Sequence, residues 1–132
     1  RMVAALGGPT DFCDRPVQHL QAAPVQLDVP ALAAGWVLSK ATRDIGLAVV
    51  ELGGGRRKAS DRIDHRVGFS DVVSLGQRVE RGQPLARVHA ADEASAAAAV
   101  ARLQECIRIG DAAPPPAPLL IARLPEQPVY IP

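Results

Sequence analysis

Only one stretch of this chain keeps a helical period long enough to fix an element by itself. It runs from Asp92 to Gly110. Asp92 stands where an N-cap belongs, and Ala96, Val100, Leu103 and Ile107 fall on one face behind it. Glu93 in the first turn and Arg108 in the last suit the helix dipole, and Gly110 is placed to end the helix. Everything around this segment is shorter and is broken up by 11 Gly and 12 Pro. The pattern therefore predicts one main helix set among short elements.

Val25, Leu27 and Val29 alternate with Gln26 and Asp28, the period of a half-buried strand. Gly35 to Ser39 reads as a second strand. Thr42 looks like an N-cap, with Ile45, Val49 and Leu52 at helical spacing behind it and Gly53 as the stop. Gly54 and Gly55 leave the chain free to take positive φ. Arg56 to Arg66 has a loop composition, and Val67-Gly68-Phe69 predicts a short strand. Val72, Val73 and Leu75 add an apolar patch before a turn-rich connection from Gly76 to Gln83. Pro84 to His89 reads as a strand, with Pro84 at its first position, where the missing donor is tolerated.

The two ends are less regular. Met2 to Gly8 is an apolar helical run closed by glycine, which reads as a helix end and suggests a start inside a helix of something larger. Thr10 is placed to cap a short helix running to Leu20, although Pro16 interrupts it, and Ala22 to Pro24 reads as a linker. After Pro114-Pro115-Pro116 and Pro118, a stiff extended segment, Leu119 to Leu124 has an edge-strand pattern, and Pro125 to Pro132 reads as a loosely held end.

Composition excludes several functions. At 132 residues the chain has the length of one domain, and its formal net charge is +1. A near-neutral chain is poorly suited to nucleic acid, where phosphate neutralisation supplies most of the affinity. Phe12, Trp36, Phe69 and Tyr130 are the only aromatic residues, too few for a base-stacking platform. No apolar run approaches the ~20 residues that span a bilayer, and no secretory leader is evident. Cys13 and Cys106 form no Cys-x-x-Cys pair and read as free, buried thiols of a reducing cytoplasm. All basic residues except Lys40 and Lys58 are arginine, and alanine is abundant, which we read as codon bias.

Few residues suggest chemistry. Gly53-Gly54-Gly55 beside Arg56, Arg57 and Lys58 suggests an anion. However, the loop follows a helix C-terminus, whose dipole repels anions, and the Gly-x-x-x-x-Gly-Lys-Ser/Thr spacing is absent. A mobile loop that packs against another domain fits better. His19, His65 and His89 lie far apart in the sequence, and Asp92, next to His89, is needed as a cap, so no metal site is expected. Asp61 and Asp64 stand among Arg57, Arg62 and Arg66, the pattern of a solvated salt-bridge cluster. Ser39, Ser60, Ser70, Ser74 and Ser95 have no evident base partner. From composition and spacing alone the chain is an α/β domain of unspecified role.

Several stretches, taken together, resemble a known family. They are Ala4-Ala5-Leu6-Gly7-Gly8-Pro9-Thr10-Asp11-Phe12, Thr42 to Val50 with Leu52-Gly53-Gly54-Gly55-Arg56-Arg57, and Ala59 to His65 with Val67-Gly68-Phe69. Leu75-Gly76, Gly82 to Ala86 and Val88-His89-Ala90 follow in order. Over residues 1–113 this resembles the thymidine and pyrimidine nucleoside phosphorylase family. The resemblance implies the C-terminal part of a much longer cytoplasmic enzyme. That enzyme would convert thymidine and phosphate to thymine and 2-deoxyribose 1-phosphate, with phosphate as co-substrate and no organic cofactor. The family's Lys-His-Ser-Thr-Gly-Gly phosphate segment is absent from this chain, so no catalytic, cofactor or metal residue is carried over and the chain alone is expected to be inactive.

The implied fold is α+β, a compact hammerhead-like unit of short mixed or antiparallel strands with two main helices. The implied division is a helical remnant of the large α/β domain (1–22), the C-terminal domain (23–113) and a Pro-rich tail (114–132). Gly53, Gly54, Gly55, Arg56, Arg57, Lys58, Ala59, Ser60 and Asp61 resemble a segment that orders when the substrate cleft closes. The implied partner is the rest of the parent chain, with a dimeric parent and a monomeric C-terminal piece. A broader phosphorylase that also accepts uridine is the nearest alternative. Gly76 to Leu85 is also similar to the half-motif of biotinyl and lipoyl carriers, but those present a lysine at a hairpin tip. Here Lys40 sits at a strand-to-helix junction and Lys58 in the arginine loop.

Overall fold

The computed structural model describes residues 1–116. The elements in order are α1 (Met2–Ala5), α2 (Pro16–His19), β1 (Val25–Pro30), β2 (Gly35–Lys40), α3 (Thr42–Glu51), β3 (Gly68–Ser70), β4 (Arg78–Val79), β5 (Pro84–Ala90), α4 (Glu93–Cys106) and β6 (Ile107–Gly110). They build two three-stranded antiparallel sheets, ordered β1-β5-β3 and β4-β2-β6. The α+β class with two main helices is therefore the observed one. The expected strand from Leu119 to Leu124 and the end from Pro125 to Pro132 lie outside the described residues.

Helix α4 is the centre of the packing. It lies against β1, β5, β6 and α3. Leu103 is fully buried, together with Val29, Val37, Val79, Leu85 and Val88 from the strands. Asp92 caps the helix as expected, its Oδ1 accepting from Ser95 N at 2.8 Å. The helix stops earlier than its apolar period suggests. The backbone turns extended at Ile107, and Ile107 to Gly110 pairs with β2. Gly110 therefore ends a strand, and Arg108 is an exposed strand residue instead of a last-turn cation. Ile107 and Ile109 flank Arg108, a period-two pattern that the helical period hides. Ile107 is buried as predicted, but from a strand.

Other local expectations are corrected. Thr42 is the first residue of α3, behind Ala41 at the N-cap, and makes no side-chain cap bond. Thr10 caps nothing: the helix before Leu20 begins only at Pro16, because proline has no donor and suits the first helical position. Leu27 is exposed although its strand forms, and Leu75 is exposed while Val73 is buried. The connection from Gly76 to Gln83 contains β4, whose Val79 is fully buried. Cys106 is buried, but Cys13 is exposed.

Residues 1–20 stand apart from this core. Neither α1 nor α2 buries a residue. Met2, Leu6, Val17 and Leu20 are all exposed. The lobe is held by local contacts, among them His19 Nε2 with Asp11 Oδ1 at 2.8 Å and the stacked rings of Phe12 and His19. Among the described residues no helix is long and apolar enough to cross a membrane.

Candidate functional site

The arginine loop begins where α3 runs out. Gly53 takes φ +95°, the left-handed backbone that ends helices, and its N–H bonds Val50 O at 3.0 Å. Gly54 and Gly55, free to take positive φ, do not share that backbone. They are needed for space. A Cβ on Gly54 would lie 2.8 Å from Val49 Cγ1, and one on Gly55 would lie 2.6 Å from Val50 Cγ2. The triple glycine thus folds the loop tightly back over the last turn of α3.

Asp61 then organises the turn. Its Oδ2 accepts from both Arg57 N and Lys58 N at 2.9 Å, and Asp61 N returns to Lys58 O at 3.0 Å. The carboxylate is spent on backbone donors, so the side chains of Arg56, Arg57 and Lys58 project without an ion pair among the described residues. Ala59 and Ser60 are exposed at the crest. The loop therefore offers three cations from an ordered backbone.

Asp64 behaves differently. Its carboxylate accepts from Arg66 Nε at 2.9 Å, from Arg66 Nη2 at 2.8 Å and from Arg66 N at 3.0 Å. The guanidinium hydrogen bond, chiefly, holds this carboxyl at about 2, below the ordinary carboxylate value. Asp64 N donates to Gly53 O at 2.9 Å, tying this pair to the end of α3. Of the expected salt-bridge cluster, then, only Asp64–Arg66 forms an ion pair. Asp61 serves the backbone, and Arg62 has no carboxylate partner among the described residues.

The scattered histidines converge. His19, His65 and His89 all line one open cleft of about 990 Å³, together with Arg62, Asp64 and Arg66. Pro16, Val17, Leu20 and Ile63 add apolar side chains to its lining. Among the described residues no three His, Cys, Asp or Glu side chains meet as metal ligands. Ser70, expected to lack a base, has His89 Nε2 at 2.9 Å and donates its own proton to Asp71 Oδ2 at 3.0 Å. The hydroxyl is thus held between the imidazole and the Asp71 carboxylate. The contact follows from the β3–β5 register, in which residues distant in sequence become neighbours.

Lys40, the candidate carrier lysine, is tied down: its Nζ donates to Val73 O at 2.8 Å from a partly buried position. No hairpin tip presents it.

Comparison with known proteins agrees with the architecture. Residues 36–110 match the family described as pyrimidine nucleoside phosphorylase C-terminal domain. The chain is 52% identical over 124 residues to a thymidine phosphorylase of Agrobacterium fabrum, covering 94% of this chain and 28% of that protein. It is 48% identical over 123 residues to one of Rhizobium meliloti, covering 93% and 28%. Against one of Burkholderia lata it is 52% identical over 117 residues, covering 87% and 27%. The chain thus spans a little over a quarter of the length of these curated relatives. With the matched segment running from β2 through β6, the chain belongs to the pyrimidine nucleoside phosphorylase C-terminal domain family.

Proposed function

We propose that this chain is the C-terminal part of a thymidine phosphorylase, acting as scaffold and as a cleft-closing loop. The reaction of the whole enzyme is thymidine plus phosphate to thymine plus 2-deoxyribose 1-phosphate, a pentosyl transfer with no organic cofactor. The observation that carries the loop's role is the turn at Asp61. It fixes the backbone of residues 57 and 58 while leaving Arg56, Arg57 and Lys58 without carboxylate partners. Such a turn can meet an acidic face when a cleft closes, without first breaking an internal ion pair. Closure of this kind excludes water and completes a site built elsewhere. The chain alone is inactive in this reading, since the nucleophilic phosphate has no site on it from the family's Lys-His-Ser-Thr-Gly-Gly segment.

The partner is the rest of the parent enzyme, and the exposed Met2 and Leu6 support a contact with it through the N-terminal lobe. In this reading residues 1–22 belong with the parent's large domain and residues 23–113 form the C-terminal unit. The parent is a cytoplasmic dimer joined through its helical part, and the chain alone is expected to be a monomer, which light scattering checks.

The test is Arg57→Ala in the full-length parent. A closure role predicts lower kcat with the thermal midpoint unchanged. Wild-type steady-state kinetics in that variant would refute it.

A further inference from the structure

We propose that the cleft between α2 and residues 62–66 is a binding site for a small organic phosphomonoester with an apolar group. This site is distinct from the closure loop and does not depend on its role.

The polar wall is built, not incidental. Arg66 uses one N–H of Nε and one of Nη2 on Asp64. A guanidinium has five N–H donors, so three remain, held in a fixed direction. Asp64 is itself anchored by its backbone to Gly53 and holds Arg66 through three bonds. Its low pKa of about 2 keeps the pair ionised across the working range. Arg62 adds a cation with no carboxylate partner among the described residues, and His65 is exposed on the same loop. From the β5 side comes His89, oriented by Ser70.

Counted over the lining residues, Arg62 and Arg66 against Asp64 leave one net positive charge before any imidazole is protonated. A phosphate monoester has three terminal oxygens and accepts from several such donors at once. Val17 and Leu20 from the α2 side and Ile63 from the loop itself add uncharged lining that suits the ester's apolar portion. A volume of about 990 Å³ admits a ligand of that size.

The test is titration of the 132-residue chain with phenyl phosphate, followed by imidazole NMR signals. Inorganic phosphate and phenol serve as half-ligands. Saturable shifts of His65 and His89 are expected, with phenyl phosphate bound at least about tenfold more tightly than either half-ligand. Arg66→Gln should weaken binding about tenfold or more, and His65→Gln should weaken it in the same direction. Arg57→Gln should leave it unchanged. No saturable shift up to about 10 mM overturns the site. So does an equal loss in Arg57→Gln, which would make the effect one of general charge. If Arg66→Gln lowers the thermal midpoint, His65→Gln, with an exposed side chain, decides. The readout is equilibrium binding to this chain, so its failure leaves the closure role, tested by turnover of the parent, untouched.

Discussion

Residues 1–20 and residues 25–110 draw on the same apolar side chains and use them in opposite ways. In the second region they are packed: Val29, Val37, Val79, Leu85, Val88 and Leu103 are all closed to solvent. In the first, Met2, Leu6, Val17 and Leu20 are exposed, and neither helix buries a residue. The lobe is shaped by short-range bonds and the larger unit by contacts between distant segments. Stability should therefore reside almost wholly in the larger unit. The lobe's apolar surface remains open to solvent.

The largest test of this contrast is Leu103→Ala against Leu6→Ala. The first should cost ~2–5 kcal/mol in chemical denaturation, from lost burial and a cavity under α4. The second should stay within about 0.5 kcal/mol, as for other exposed sites. Equal losses would mean that the lobe belongs to the core after all.

Gly35→Ala comes next. Gly35 has φ +151°, and an added Cβ would lie 2.6 Å from Gly110 O. Backbone against backbone cannot yield cheaply, so a loss of about 2 kcal/mol or more is expected in the same assay. Asp92→Ala should cost about 1 kcal/mol through the lost cap, whereas Thr42→Ala removes no cap bond and should cost less. A reversed order would show that α3, not α4, depends on its cap.

The smallest effect concerns pH. Asp64 has its pKa lowered to about 2 from 3.8, first by the Arg66 side-chain bond and then by Arg66 N. A carboxylate lowered on folding stabilises the folded state above its unfolded pKa, and that contribution is lost as pH falls through the folded one. The Asp64–Arg66 wall should thus be intact above about pH 4 and loosen toward pH 2. Carboxyl NMR of Asp64 would check this, and a midpoint near 3.8 would mean that the pair does not persist in solution.

Much of the fold could be read from single segments. The Asp92 cap, the α4 stripe, the existence of β1 and the Pro84 strand start all depend on near neighbours, which a linear pattern records. Failures came where a distant partner decides. Ile107 leaves the helix because β2 accepts it as a strand, and Val79 is buried because Gly35 and Trp36 pair with its segment. The loop at Gly53 to Asp61 was visible as composition, but the reason for Gly54 and Gly55 lay in the valines beneath them. The placement of His19, His65 and His89 along one cleft had no signal in the sequence. It arises from β3 and β5 lying side by side and from α2 folding across the cleft.

The two thiols give this division a chemical reporter. Cys13 stands exposed on the lobe, whereas Cys106 is buried at the point where α4 becomes β6, and burial pushes its thiol up. A maleimide at neutral pH should alkylate Cys13 within minutes and reach Cys106 only when the helix–strand junction opens. One native side chain thus serves as an attachment point for a dye or spin label on the lobe. The other times the opening of the core, with no substitution needed for either.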